Sequence, residues 1–249
     1  PEYNRMTPAQ KAKWDAHFGP RNQAFLKEFA DGKMSHKDLV RWKYRRYMRN
    51  YLGTVKAVDE SVGRMLKYLD DNSLAKNTIV IYSSDQGFFL GEHGWYDKRW
   101  MFEESFRMPF LVRWPGVIAP GAKPEQLIQN IDYAPTFLEI AGLKIPDEVQ
   151  GRSLLPLFKG KKNGWRESLY YSYYEFGEHR VPQHFGVRTA RHKLMYFPHS
   201  NEWNLFDLKT DPHEMKSVHA DREYLNVRRE MTEEFHRVRE HLGAPAFAK

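Results

Sequence analysis

The sequence predicts an α/β domain followed by a small α+β subdomain, and three observations carry that prediction. A long amphipathic stretch beginning at Ser35 runs into a short, almost continuously apolar segment, Thr78–Tyr82, with no hairpin turn between them. Helix followed by strand in this way is the layering of α/β folds. A second apolar segment, Phe110–Trp114, stops at Pro115-Gly116. After Trp165 the texture changes to short aromatic runs separated by turns containing Gly, His and Asn, the pattern of an antiparallel meander. The change places a boundary near residue 160, with 1–160 as the α/β part and 161–249 as the subdomain.

Each element has its own signal. Thr7-Pro8 reads as an N-cap followed by Pro at the first helical position, and the helix is expected to end near Phe18, before Gly19-Pro20. The helix from Ser35 carries an apolar stripe at Tyr51, Val55, Val58, Val62, Met65 or Leu66, and Leu69, whose steps of four and three predict one buried face. It is expected to close at Asp71-Asn72-Ser73. Asp59 lies near that stripe, as a ligand or as a structural hydrogen-bonding group. Thr78–Tyr82 reads as a strand covered on both faces, followed by a long loop over Asp85–Glu104 and the strand Phe110–Trp114. Asp132-Tyr133-Ala134-Pro135-Thr136 opens a helix that closes at Gly142, and Ser153–Phe158 is a short Leu/Pro segment. Strands are then expected at Leu169–Glu175, Gly186–Thr189, Lys193–Phe197 and Trp203–Leu208, before a last amphipathic helix over about Asp221–Leu242.

Composition narrows the class. With 249 residues, 41% hydrophobic and 15% aromatic, the chain can bury a core and is not a disordered segment. The net charge of +7 is spread along the chain; its densest cluster, Arg41-Trp42-Lys43-Tyr44-Arg45-Arg46, reads as a solvated helix face, so no nucleic-acid partner is expected. A basic balance also suits polyanionic substrates such as sulfated glycans. There are no cysteines, which excludes disulfides and thiolate chemistry and leaves the redox compartment open. No apolar run reaches the roughly 18 residues of a membrane span. The N-terminus at Pro1 is neither a signal peptide nor an initiating Met, so a fragment or a processed product is expected.

The chemistry concentrates between Ile79 and Pro115. Asp85 and Gln86 follow the first apolar strand and offer one charged and one neutral oxygen side by side, the ligand type preferred by hard cations such as Ca²⁺ and Mg²⁺. Two side chains cannot fill such a shell, and Ser83-Ser84-Asp85-Gln86-Gly87 also reads as a plain turn. Lys98 is a compact cation suited to a phosphoryl or sulfuryl oxygen, or to a surface ion pair with Asp97, Glu103 or Glu104. His93, in Gly91-Glu92-His93-Gly94, reads as an acid, a ligand or, best for a single loop histidine, a brace.

The segment SSDQGFFLGEHGWYDKRWMFEESFRMPFLVRWPG resembles the C-terminal active-site segment of the type I sulfatases of the alkaline phosphatase superfamily. It is most similar to bacterial N-acetylglucosamine-6-sulfatase-like and heparan-sulfatase-like members. The resemblance extends to Val58–Gly63 with Leu69-Asp70, to Asp132–Thr136 with Gly151–Leu154, and to Gly186–Thr189, Lys193-Leu194, Leu205–Leu208 and Asp211-Pro212. It implies part of an alkaline-phosphatase-like mixed sheet flanked by helices, then a small α+β subdomain with an antiparallel sheet and a terminal helix. It also implies that Asp85 and Gln86 are calcium ligands, with Gln where Asn is common, and that Lys98 contacts the sulfate. His93 matches a loop histidine. Glu178, His179 and His184 fall where such members extend substrate-pocket residues. A sulfated carbohydrate substrate and a periplasmic or secreted location are implied as well.

Other family parts are missing from the sequence. The nucleophile is a formylglycine made within a Cys/Ser-x-Pro-x-Arg motif, and this chain has no cysteine and no serine in such a motif. The N-terminal aspartates of the calcium site are likewise not recognisable. The expectation is the C-terminal half of a sulfatase, inactive alone and partnered by the N-terminal half. The alternatives are a phosphodiesterase or phosphonate hydrolase of the same superfamily, and a catalytically inactive fragment that binds sulfated glycans.

Overall fold

The computed structural model describes residues 2–32, 34–175 and 179–247. They form two compact units, Pro1–Tyr68 and Leu69–Lys249.

The first unit is helical: α1 (Glu2–Arg5), α2 (Pro8–Ala30) and most of α3 (His36–Asp71). The cap at Thr7 forms as its sequence predicts. Thr7 Oγ1 accepts from the Gln10 amide at 3.3 Å, and Gln10 Oε1 accepts from the Thr7 amide at 2.9 Å. The expected stop before Gly19-Pro20 is corrected, because α2 continues through Pro20 to Ala30. Contacts with α3 on both sides of the proline hold the turn. Phe25 stacks on Trp42 at 3.9 Å, and the Arg46 guanidinium lies over the rings of Phe18 and Trp42. Such tertiary contacts override the local penalty of a helical proline. The Ser35 hydroxyl caps α3 by accepting from the Asp38 amide at 3.2 Å. The burial expected of the α3 stripe is also corrected: no residue of the helix is buried, and Met65 is 68% exposed. Val55, Val58 and Met65 on the stripe are exposed, while Tyr51, Val62, Leu66 and Leu69 are half-buried.

The second unit contains β1 (Val80–Ser83), β2 (Phe89–Leu90), β3 (Tyr96–Asp97), α4 (Glu103–Phe106), β4 (Phe110–Arg113), α5 (Tyr133–Ile140), α6 (Leu155–Phe158), β5 (Ser168–Tyr173), β6 (His184–Thr189), β7 (His192–Phe197), β8 (Glu202–Asp207) and α7 (Leu225–His241). The two apolar strands pair with each other, antiparallel, with Val80 opposite Arg113 and Ser83 opposite Phe110. They are not covered on both faces as the apolar run predicts: Tyr82 is 40% and Leu111 62% exposed. The connection between them contains a short β2–β3 hairpin, Phe89 opposite Asp97 and Leu90 opposite Tyr96, where the sequence suggests only loop.

The C-terminal sheet is the predicted meander, β5-β6-β7-β8, every neighbour antiparallel. Its side chains alternate between two covered faces. Val187, Leu194 and Leu205 lie in register on one face, packed against Met231 and Phe235 of α7. On the other face Met195 and Phe206 pack against Met101, with Trp100, Phe102 and Phe106 around them. The segment that follows Lys98 is therefore part of the sheet's second core.

The Asp132–Thr136 and Gly151–Leu154 stretches meet in a polar hub. The fully buried Asp132 carboxylate accepts both guanidinium arms of Arg166 and the amides of Gln129 and Arg152, each amide at 2.8 Å. Thr136 Oγ1 accepts from the Leu154 amide at 2.8 Å. A buried carboxylate satisfied on every side is a structural device.

Candidate active site

The turn after β1 is fixed from both sides. Ser83 Oγ donates to Pro109 O at 3.0 Å and shares a hydrogen bond with the Tyr133 hydroxyl at 2.8 Å, while Ser84 Oγ donates to Gln86 O at 2.9 Å. The Gly87 amide donates to Ser105 O at 2.8 Å. A Cβ on Gly87 would lie 2.1 Å from Glu104 O and 2.5 Å from Arg107 O, so only glycine lets the turn close on α4. Asp85 and Gln86 are thereby held in place, with Asp85 exposed and Gln86 half-buried.

Lys98 meets this turn. The hydrogen-bonding surroundings of Gln86 assign its amide nitrogen to Asp85 and its oxygen to Lys98. In that orientation Nε2 donates to Asp85 Oδ2 at 2.6 Å and Oε1 accepts from Lys98 Nζ at 3.0 Å. Asp85, Gln86 and Lys98 are one connected group. Lys98 sits between two left-handed residues, Asp97 (φ 88°) and Arg99 (φ 89°). Left-handed non-glycine backbone persists only where its surroundings over-determine it, and it clusters at functional sites.

The three histidines take different places. His93, itself left-handed at φ 53°, stacks on Phe102 at 4.3 Å and meets Phe89 edge-on at 5.9 Å. Its Nε2 lies 3.5 Å from Glu104 Oε2, and the ring is enclosed by aromatic neighbours as a brace would be. His179 is exposed, with Nδ1 3.1 Å from Glu175 Oε2, while Glu178 lies outside the described residues. His184 is fully buried: Nε2 accepts from the Met101 amide at 3.1 Å and Nδ1 donates to Pro182 O at 2.9 Å. Burial pushes its pKa down to about 4. Both nitrogens are occupied, so this histidine supports the Met101 backbone.

Sequence reasoning assigns no role to the groups that grip the segment after Lys98. Lys193, fully buried, donates to Met101 O at 2.7 Å and lies 2.8 Å from Glu103 Oε1 and 2.7 Å from Glu214 Oε1. Arg188 donates twice to the Glu103 carboxylate, each time at 3.2 Å. Burial opposes the charge on Glu103, but the cations of Lys193 and Arg188 outweigh it and hold the carboxyl below its usual range. Burial pushes Glu214 upward despite Lys193. One signal was available: Lys193 shares a strand face with Met195 and Phe197, and an inward lysine among apolar neighbours requires acidic partners.

The donor set suits a hard divalent cation in part. An exposed carboxylate and an adjacent amide oxygen are appropriate ligands, and the remaining ones must come from elsewhere. Among the described residues no group of three or more His, Cys, Asp or Glu could hold a metal ion. No helix among them is long and apolar enough to cross a membrane.

Two family models match this chain, one described as Sulfatase over residues 8–143 and one as N-sulphoglucosamine sulphohydrolase, C-terminal, over residues 91–241. The chain is 44% identical over 234 residues to an N-acetylglucosamine-6-O-sulfatase of Bacteroides thetaiotaomicron, covering 92% of this chain and 41% of that protein. It is 37% identical over 123 residues to N-acetylglucosamine-6-sulfatase of Bos taurus, 48% of this chain and 22% of that one. A solved structure described as a complex with its substrate D-glucosamine-2-N,6-O-disulfate superposes with a TM-score of 0.89 at 41% identity, over 97% of this chain and 49% of that one. A phosphonate monoester hydrolase of Agrobacterium radiobacter superposes with a TM-score of 0.69 at 26% identity, over 77% and 41% of the two chains. The chain thus spans half or less of the length of these relatives. With two family models each matching more than half of it, and with the Asp85–Gln86–Lys98 group standing in the matched segment, the chain belongs to the sulfatase family of the alkaline phosphatase superfamily.

Proposed function

We propose that this chain supplies the C-terminal part of the catalytic centre of a sulfatase that hydrolyses sulfate esters on sulfated sugars. Residues 1–160 belong to the catalytic α/β domain and 161–249 form its C-terminal subdomain. The single observation that carries the reading is the convergence of Lys98 on the Asp85–Gln86 pair.

Lys98 places a positive charge where a sulfate ester gains negative charge as its bond to the sugar oxygen breaks, and stabilisation of that charge is its part in turnover. Asp85 and Gln86 are the residues that would hold a calcium ion, through the carboxylate and the amide oxygen. When bound, calcium would supply Lewis-acid polarisation of the ester oxygens. The remaining ligands and the formylglycine nucleophile come from the N-terminal half of the domain. The exposed apolar stripe of α3 and the open β1–β4 sheet are surfaces of the kind such a half would cover. His179 stands on the rim of the sugar pocket. His93 and His184 act through the loops they brace. The basic balance fits a polyanionic glycan, and the working place is the periplasm or the exterior.

The test is turnover of the protein that carries this chain together with its nucleophile, on glucosamine 6-O-sulfate. Lys98→Ala is expected to lower kcat by about 10²–10³-fold. A change below about threefold removes Lys98 from the mechanism. The likeness to a phosphonate monoester hydrolase favours one second reading, hydrolysis of phosphorus esters. Rates on the sulfate and phosphonate esters of one alcohol separate the two.

A further inference from the structure

The segment Lys98–Phe106 is gripped by one face of the C-terminal sheet in a regular way. Every second residue gives its backbone to a side chain of that face or, at Glu103, of the loop that follows β8. Arg99 O accepts from the Tyr171 hydroxyl at 2.5 Å. Met101 donates its amide to His184 and accepts from Lys193 at its carbonyl. The Glu103 amide donates to Glu214 Oε2 at 2.7 Å, and its side chain joins Lys193 and Arg188. Tyr171 and Gly186, Gly186 and Met195, and Arg188 and Lys193 are cross-strand partners, so the gripping residues of the sheet share one face. The Met101 side chain fills the space that Gly186 leaves open: a Cβ there would lie 2.3 Å from its sulfur.

The far ends of the same segment meet the site. The Arg99 amide donates to Ser105 Oγ at 2.8 Å, and Ser105 O accepts the Gly87 amide next to Gln86. One short stretch of chain thus fixes Lys98 at its start and the Asp85–Gln86 turn at its end. Its middle is tied to the sheet through a buried lysine. A loop with left-handed residues on both sides of Lys98 needs such ties, because neither Asp97 nor Arg99 is a glycine.

We propose that Lys193 is a positioning residue for the sulfatase reaction: by binding Met101 O, Glu103 and Glu214 at once, it makes the C-terminal sheet the jig that sets Lys98 against the Asp85–Gln86 pair. The proposal rests on the sulfatase reading above. It assigns the C-terminal subdomain a part in the chemical step in addition to any contact with the sugar. Displacement of a catalytic group by about 1 Å lowers rates by about 10²-fold, and the loss falls on kcat when substrate binding is untouched.

The experiment compares three variants in the protein that carries this chain with its nucleophile, assayed on glucosamine 6-O-sulfate with thermal unfolding measured alongside. Lys98→Ala is the control for the reading itself: if turnover survives it, the sulfatase assignment of this site fails, whatever the other variants do. With that control satisfied, folded Lys193→Met is expected to lose about 10²-fold in kcat with KM within about threefold, and folded Lys193→Arg to recover part of the loss. A merely structural lysine gives a lower melting temperature with kcat of the folded fraction unchanged, and that result overturns the proposal. If Lys193→Met does not fold, Tyr171→Phe decides, since it removes only the hydroxyl on Arg99 O. A kcat reduced by about threefold or more at constant KM supports the jig, and an unchanged kcat overturns it.

Discussion

Two antiparallel sheets of this molecule are built from similar apolar and aromatic runs and have opposite characters. The β5–β8 sheet is covered on both faces, with Val187, Leu194, Met195 and Leu205 fully buried. The β1–β4 pair has two strands, open neighbours and Leu111 largely exposed. The candidate site belongs to the weaker sheet. A two-stranded element is marginal by itself, so the precision its site needs must be imported. The ties from Lys193, Tyr171, His184 and Glu214 to the segment after Lys98 are that import. On the proposed reading, chemistry sits at the open sheet and rigidity is lent by the closed one.

Substitutions in each sheet test this division of roles. Leu194→Ala removes a fully buried side chain between Val187 and Leu205 and is expected to destabilise the C-terminal unit by about 2–5 kcal/mol in urea unfolding. A loss below about 1 kcal/mol would show that the closed sheet is not the rigid partner.

The pH dependence sharpens the link between the sheets. The His184 pKa falls from 6.5 unfolded to about 4 folded, so the unfolded chain takes up the proton first as pH drops. The stabilisation from neutral His184 is complete above pH 6.5 and is lost progressively toward pH 4, by about 3 kcal/mol in all. Protonation at Nε2 also removes the acceptor for the Met101 amide. Urea titrations at several pH values should show this slope in the parent and a shallower one in His184→Gln. Equal slopes in both would remove His184 from the linkage.

The smallest effect is expected at the open sheet. Leu111→Thr puts a β-branched, strand-compatible residue at an exposed position and should change stability by less than about 0.5 kcal/mol in the same unfolding assay. A loss comparable to that of Leu194→Ala would mean that Leu111 is covered in solution.

Much of this plan was legible in the residues. The α3 start at Ser35, the two apolar strands, the four-strand meander and the terminal helix follow from caps and periodicity, because those signals are local. Asp85, Gln86 and Lys98 were singled out by donor chemistry and resemblance, and they do meet. What escaped was decided by contacts between segments far apart in the chain. The run of α2 past Pro20 depends on Trp42 and Arg46. The exposure of Val55, Val58 and Met65 on the α3 stripe depends on what packs beside it, which periodicity does not encode. The burial of His184 and the grip of Lys193 depend on Met101, roughly 80 to 90 positions earlier. A histidine in an aromatic strand looks the same in sequence whether it faces a sugar or a backbone amide.

Gly186 carries no functional group and touches nothing that reacts, yet the space it leaves is filled by the Met101 side chain. A genome in which this codon has drifted to alanine would encode a chain with every recognisable sulfatase motif intact. Read by motif, such a gene would be counted as active. The added methyl would lie 2.3 Å from the Met101 sulfur and 2.5 Å from Leu194 O, so the Met101 side chain and the sheet beneath it would both have to give. On the proposed reading this is a cost that no inventory of ligands and charges would reveal.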